Sequence, residues 1–236
     1  MRRVIAIIAA VGAVLILGSG NAPRVEANGN PQILTGILQK IEKAHLDLKS
    51  LKAVIVQQRI NSQIGSKDTD SGVLIYKPPV GNTKGKLRID YNKPDVRVVS
   101  LVGENLIFYQ PRINQVVKMS VAKASKDKTG GYTQIVGLDG SVRNLTKSYN
   151  IEFVKDELIN GQMTSQLHLV PKEKGQLASL DIWFSQNSWL PVQQKFVERN
   201  GDYSIVQLTN LEPNVKVADE AFVVKYPSST VVVDKI

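Results

Sequence analysis

The chain contains no cysteine. That excludes a disulfide framework, thiol catalysis and lipid attachment to a cysteine. Histidine occurs twice in the chain. His45 lies in a stretch of helical periodicity, and His168 alternates with Leu167 and Leu169. Neither has a second histidine at ligand spacing, so no metal site is expected. There is no Gly-x-Ser-x-Gly elbow. Gly81-Asn82-Thr83-Lys84-Gly85 lacks the spacing of a phosphate-binding loop and follows two prolines. Asp68, Asp70, Asp127 and Asp139 read as turn residues, leaving no carboxylate pair for hydrolysis. These absences argue against an enzyme and imply no cofactor. The formal charge is +9, but no basic run is present. Nucleic acid is therefore a poor partner, and the excess suits an anionic membrane surface or plain solubility.

The N-terminus has the layout of an export signal. Arg2-Arg3 precedes an apolar stretch from Val4 to Leu17, shorter than the ~20 residues a spanning helix needs. Val25-Glu26-Ala27 offers small residues for cleavage after Ala27. The reading is a signal peptide over 1–27 and one domain over 28–236, exported to the periplasm. An uncleaved segment would instead be an inner-membrane anchor. Without disulfides, an exported domain must rely on core burial.

Asn30-Pro31 starts a helix, with Asn as cap and Pro in the first turn. Ile33, Leu34, Ile37, Leu38 and Ile41 form one apolar stripe, and the helix is expected to end near Leu48 to Ser50. The period then changes to two. Strands are expected at Ala53–Ile60, Gly72–Tyr76, Lys86–Tyr91, Val96–Val102, Asn105–Gln110, Arg112–Met119, Tyr149–Val154 and Gln162–Val170, with Gly65 to Asp70 as a polar loop. Residues 120–147 carry charge, glycines and irregular apolar positions, which suits a lid or functional loop. Phe222–Tyr226 and Thr230–Val233 read as final strands, after a helical turn at Ala218–Ala221.

Leu177 to Leu208 is the best-marked stretch: three strands joined at Gln186-Asn187-Ser188 and Asn200-Gly201. Asn-Gly is a strong signal for a type I′ hairpin. Leu180, Ile182 and Phe184 share one face, and Trp183 lies on the other. Two apolar faces are unusual for a half-solvated sheet, so a helix, the 120–147 insert or a ligand is expected to cover the second. With no βαβ alternation, the class is α+β, mainly β. About ten or eleven of these strands are expected to form one antiparallel meander that curves into a barrel or half-barrel.

Several of these segments, in order, resemble the periplasmic lipoprotein carriers of the LolA type and their wider superfamily. The pieces are Leu51–Ile60 with Gln57 and Gln58, Gly72-Val73-Leu74-Ile75-Tyr76-Lys77-Pro78, Leu87-Arg88-Ile89-Asp90-Tyr91-Asn92-Lys93-Pro94 and Asn105-Leu106-Ile107-Phe108-Tyr109-Gln110-Pro111. Leu167–Lys172, Leu190-Pro191 and Phe222–Pro227 follow. The resemblance implies an unclosed antiparallel β-barrel with a helical lid over an apolar cavity. It implies a monomer that takes acyl chains of a lipoprotein or lipid from an inner-membrane export complex. The chains would pass across the periplasm to an outer-membrane acceptor. It also gives Lys77, where the carriers have arginine, the role of the basic residue that helps hold the lid. Gly103-Glu104 stands where the carriers have Asp-Gly.

Each buried methylene is worth about 0.8 kcal/mol, so a ~16-carbon chain represents on the order of 12 kcal/mol of aversion to water. A carrier must offset this with an apolar lining. The expected lining is Leu34 and Leu38 on the helix, Ile89, Phe108 and Trp183 on strands, and Ile135 and Leu138 in the insert. The alternatives are an envelope sensor that binds lipid or protein without transport, and a structural envelope protein whose interior is filled by its own side chains.

Overall fold

Pro31 opens helix α1 (Pro31–Asp47), and Thr35 returns its hydroxyl to the Pro31 carbonyl at 2.8 Å. The computed structural model describes residues 31–120 and 142–234. The 1–27 segment and most of the insert, with Ile135 and Leu138, lie outside them. Ile37 and Ile41 are the buried residues of α1, as the stripe predicts.

After α1 come β1 (Leu51–Ile60), β2 (Lys67–Lys77), β3 (Lys86–Lys93), β4 (Arg97–Val102), β5 (Asn105–Gln110) and β6 (Gln115–Ser120). Helix α2 (Val142–Ser148) follows. The chain continues through β7 (Tyr149–Ile159), β8 (Gln162–Pro171), β9 (Leu177–Ser185), β10 (Pro191–Glu198), β11 (Tyr203–Pro213) and β12 (Val231–Asp234). All twelve lie in one sheet, ordered β12-β6-β5-β4-β3-β2-β1-β11-β10-β9-β8-β7. Neighbours are antiparallel except β12, which runs parallel to β6. The terminal strands β12 and β7 do not pair, so the barrel stays open.

Four expectations change. Lys67 to Asp70 is strand, not loop: Asp68 and Asp70 pair with Arg59 and Gln57 across β1 and β2. Asp70 hides its polarity between Arg59 and Arg97, contacts that no local pattern encodes. Pro111–Ile113 makes a single helical turn before β6. Phe222–Tyr226 is no strand; a one-turn helix (Asp219–Phe222) runs into extended chain. The Asn200-Gly201 turn is not type I′, because only Gly201 has positive φ, at 90°. Asp202 O accepts from Glu198 N and Glu198 O from Gly201 N, which makes a three-residue loop ending in a left-handed glycine. At Asn160-Gly161 both φ values are positive, as the Asn-Gly signal requires.

Alternation and register separate two faces. The inner face carries Leu51, Ala53 and Ile55 on β1, Leu74 and Tyr76 on β2, and Leu87, Ile89 and Tyr91 on β3. Leu106 and Phe108 on β5, Leu167 and Leu169 on β8, and Leu180, Ile182 and Phe184 on β9 continue it. With Ile37 and Ile41 of α1 and Leu145 of α2, these form one apolar cluster.

The outer face is crossed by residues 214–230. Arg88 donates to the Ala221 and Val223 carbonyls at 3.0 Å, and Ser100 to the Phe222 carbonyl at 2.6 Å. Phe222 and Val224 are buried beneath this strap. Asp219 sits 2.8 Å from the ammonium groups of both Lys77 and Lys86. The strap then delivers β12 to the β6 edge.

Two glycines set up opposite expectations. A Cβ on Gly72 would lie 2.2 Å from the Asp90 carbonyl oxygen, at the irregular step in β2–β3 pairing. A Cβ on Gly36, in mid α1, would meet nothing within 4 Å. Gly72→Ala is expected to destabilise by about 1–3 kcal/mol, as overpacking does. Gly36→Ala is expected to stabilise by roughly 0.5–1 kcal/mol through lower chain entropy. Urea melts of both variants check this; shifts of the same sign would contradict it.

Lys77, then Lys86, beside Asp219 hold its carboxyl down from 3.8 to about 2. A depressed carboxyl stabilises the fold fully above its unfolded pKa, and that contribution fades as pH falls from 3.8 towards 2. The urea midpoint of Asp219→Asn is therefore expected below that of the wild type at about pH 6, with the gap reduced to roughly a third by about pH 2.5. A gap constant over that range would refute the assignment.

Candidate functional site

The apolar inner face is the candidate site, and α1 is its cover. Residues 48–50 turn the chain from α1 straight into β1. Lys49 N donates to the Asn214 side-chain oxygen at 2.7 Å, Asn214 N to the Ser50 carbonyl at 2.8 Å, and the Asn214 amide to the Asp47 carbonyl. Asn214 holds a left-handed backbone, φ 61°, which asparagine tolerates well. This knot fixes the C-terminal end of α1 to the junction of β1 and β11. Further along, Glu42 of α1 accepts from Val142 N at 2.7 Å, which ties α1 to the start of α2. Lys172 at the end of β8 donates to the Thr146 carbonyl of α2. These polar contacts link the two helices to each other and to the sheet.

Four of the expected lining residues belong to the apolar cluster or pack against it. Ile89 and Phe108 are buried members of the apolar cluster, and Leu34 and Leu38 of α1 are half-buried against it. Ile135 and Leu138 lie outside the described residues. Trp183 stands apart: it shares its face with Gln166 and Gln193 across the register, opposite Ile182 and Phe184. It is buried, but its indole N–H donates to Glu157 on β7 at 2.7 Å. That hydrogen bond, then Lys155, holds the Glu157 carboxyl below its ordinary value. Lys77 is on the outer face, bound to Asp219 of the strap and not to either helix. Its parity in β2, shared with Ile75 and Val73, puts it there.

The inner face is not apolar throughout. Beyond Ile55 the β1 residues on that face are Gln57 and Arg59. Tyr91 donates its hydroxyl to the Gln57 side-chain oxygen at 2.9 Å. Asp70, with a side chain 3% exposed, lies between Arg59 and Arg97, and Arg97 stacks over Tyr91 at 5.3 Å. Sequence reading missed this network; Gln57 opposite Asp70 in the β1–β2 hairpin was the available signal.

At the opposite rim α1 borders a groove of about 430 Å³. Ile33, Gly36, Ile37 and Lys40 line it from the helix, Asp156 and Ser165 from β7 and β8, and Gln186 and Trp189 from the β9–β10 loop. Trp189 has φ 55° and carries the Lys40 ammonium 4.6 Å from its ring centroid. A bulky residue in the left-handed region is not readable from sequence, since glycine usually stands there. Among the described residues no group of three or more His, Cys, Asp or Glu could hold a metal.

Solved structures share this architecture at low identity. An uncharacterized conserved protein from Thermus thermophilus superposes with a TM-score of 0.54 at 13% identity, covering 86% of this chain and 100% of that one. MucB, also known in a Pseudomonas aeruginosa MucA/MucB complex, gives 0.54 at 14% identity. That match covers 86% of this chain but 66% of MucB. No curated protein sequence matches. The sequence pattern of the outer membrane lipoprotein carrier protein LolA matches residues 47–225, from the end of α1 into the strap, and the chain belongs to that family.

Proposed function

We propose that this protein is a cell-envelope carrier that holds the acyl chains of a lipoprotein or lipid between α1 and the inner face of the sheet. One observation carries the reading most: an amphipathic helix, α1, packs its apolar stripe on an apolar stretch of the inner face that the sheet does not close over. Leu34 and Leu38 on the helix pack against the apolar cluster that includes Ile89 and Phe108, and these four form the proposed lining. Trp183 is left out of it because of its face. Lys77 is proposed to anchor the strap. The protein works as a binding protein rather than a catalyst.

The transport reading extends this by family resemblance. Cargo would come from an inner-membrane complex and go to an outer-membrane acceptor, with this protein moving through the periplasm. The export signal read over 1–27 agrees with that location. Gene depletion followed by localisation of acylated proteins separates carrier from sensor. Mislocalised cargo supports the carrier, and unchanged localisation rejects it.

Binding itself is tested by uptake of a fluorescent fatty acid and by native mass spectrometry of protein purified from membranes. Replacing Leu38 with Asp puts a charge on the apolar side of α1. Uptake is expected to weaken tenfold or more, equal to at least about 1.4 kcal/mol, with the circular-dichroism spectrum retained. Wild-type protein that takes up no fatty acid and carries no acylated species would rule the reading out.

A further inference from the structure

We propose that the groove between α1 and the β9–β10 loop binds the ammonium group of an amine-bearing phospholipid headgroup. The proposal rests on the acyl-binding reading and adds the polar end of the ligand. Its volume, about 430 Å³, is within the usual range for a small-molecule site.

The floor of the groove is a directed chain of hydrogen bonds. Gln186 donates through its side-chain nitrogen to Ser165 Oγ at 3.1 Å, and Ser165 donates to Asp156 Oδ1 at 2.7 Å. Ser165 is 1% exposed, so the chain is anchored in the sheet. The Gln186 backbone is held as well, with its N–H donating to the Met163 carbonyl at 3.0 Å. Two acceptors remain open. Among the described residues neither Asp156 Oδ2 nor the Gln186 side-chain oxygen has a partner.

Trp189 supplies the third component. Its N–H donates to the Ser185 carbonyl at 2.7 Å, and Ser185 N donates to the Leu190 carbonyl at 3.0 Å. These bonds hold the indole at a left-handed backbone position. An aromatic face, a carboxylate oxygen and an amide oxygen around one groove form a seat for a cation. The structure already shows the seat in use, because Lys40 lies over the ring. Lys40 is on an exposed turn of α1 with a flexible stem, so an incoming ammonium can replace it. The displaced lysine then meets the phosphate next to that ammonium. A headgroup bearing only an anion would engage Lys40 and face the Asp156 carboxylate. Ile33 and Ile37 line the same groove, and Ile37 continues into the apolar cluster. A ligand seated here therefore leads its chains under α1.

The test uses the full chain carrying Trp183→Phe, which leaves Trp189 as the sole tryptophan. Dihexanoyl phosphatidylethanolamine and dihexanoyl phosphatidylglycerol are titrated as monomers while Trp189 emission is followed. The amine lipid is expected to bind roughly five- to tenfold tighter, the range of a partly desolvated cation–aromatic contact. Asp156→Asn is expected to abolish that preference and leave fatty-acid uptake intact. Calorimetry on Trp189→Leu gives the same readout without the fluorophore and is expected to show the same loss of preference. Equal affinity for the two lipids, or a preference that survives Asp156→Asn, would overturn the proposal. So would free O-phosphoethanolamine binding as tightly as the lipid. If fatty-acid uptake persists while the preference is absent, only the headgroup site fails. If neither phospholipid nor fatty acid binds, the acyl-binding reading falls with it.

Discussion

The structure depends on one unbalanced constraint: a large sheet whose inner face is apolar and whose edge strands do not meet. Ile55, Ile89, Leu169 and Ile182 are fully buried, yet among the described residues no second sheet faces them. A closed barrel would cover such residues with its own far wall. Here the cover is α1 and α2, short helices that contribute Ile37, Ile41 and Leu145. Apolar area removed from water holds α1 in place, and its directional contacts among the described residues include the Asn214 knot, Glu42 and Lys40. Hydrophobic burial is non-directional. A ligand of similar apolarity can therefore share the face with the helix at little cost, whereas an interlocked hydrogen-bonded lid could not yield.

The two faces of the sheet are used in different ways. On the outer face the strap is held by directional bonds to backbone carbonyls, from Arg88 and Ser100, and by Asp219 between two lysines. Such contacts specify a position and resist sliding. Arg88 suits this role because its planar fork reaches Asp90 and two strap carbonyls at once. The strap also supplies Asn214, so one segment locks the outer face and the hinge of α1 together. Lys77 belongs to this arrangement by parity. One residue earlier, Tyr76 faces inward and is buried; at Lys77 the side chain must face out.

Much of this was legible in the chain. The stripe Ile33 to Ile41 marked α1 and its buried face, and the alternation of Leu87, Ile89 and Tyr91 placed the inner residues of β3. Pattern works there because one side chain repeat and one solvent boundary decide the outcome. It failed where partners were distant in sequence. Asp70 looked like a turn residue because its arginine partners come from β1 and β4. The polar partner of Trp183, Glu157, likewise comes from another strand, β7, and no local pattern marks it. Phe222 to Tyr226 looked like a strand because alternating burial also arises when a strap lies flat on a sheet. Trp189 could not be anticipated, since its conformation is imposed by the loop and not by its own preference.

The inner face also changes character along its length, which limits what it can hold. On β1 the inward series runs Leu51, Ala53, Ile55, then Gln57 and Arg59. The neighbouring β2 series runs Tyr76, Leu74, Gly72 and then Asp70, in register. The switch falls between Ile55 and Gln57, so the two strands turn polar at the same level. A buried carboxylate between two guanidinium groups contributes little net stability, because desolvation offsets most of the attraction. Its effect is to exclude hydrocarbon: a methylene placed there would strip partners from Asp70 or Tyr91 and leave buried polar atoms unsatisfied. In the proposed carrier the apolar part of a ligand would thereby be confined to the end of the face that carries Leu51, Ala53 and Ile55. From Leu51 to Ile55 is about 13 Å of strand at ~3.3 Å per residue, shorter than an extended ~16-carbon chain. A chain of that length must therefore bend or run obliquely across several strands beneath the helix. The wide, unclosed sheet offers that lateral space, and a narrow closed barrel would not.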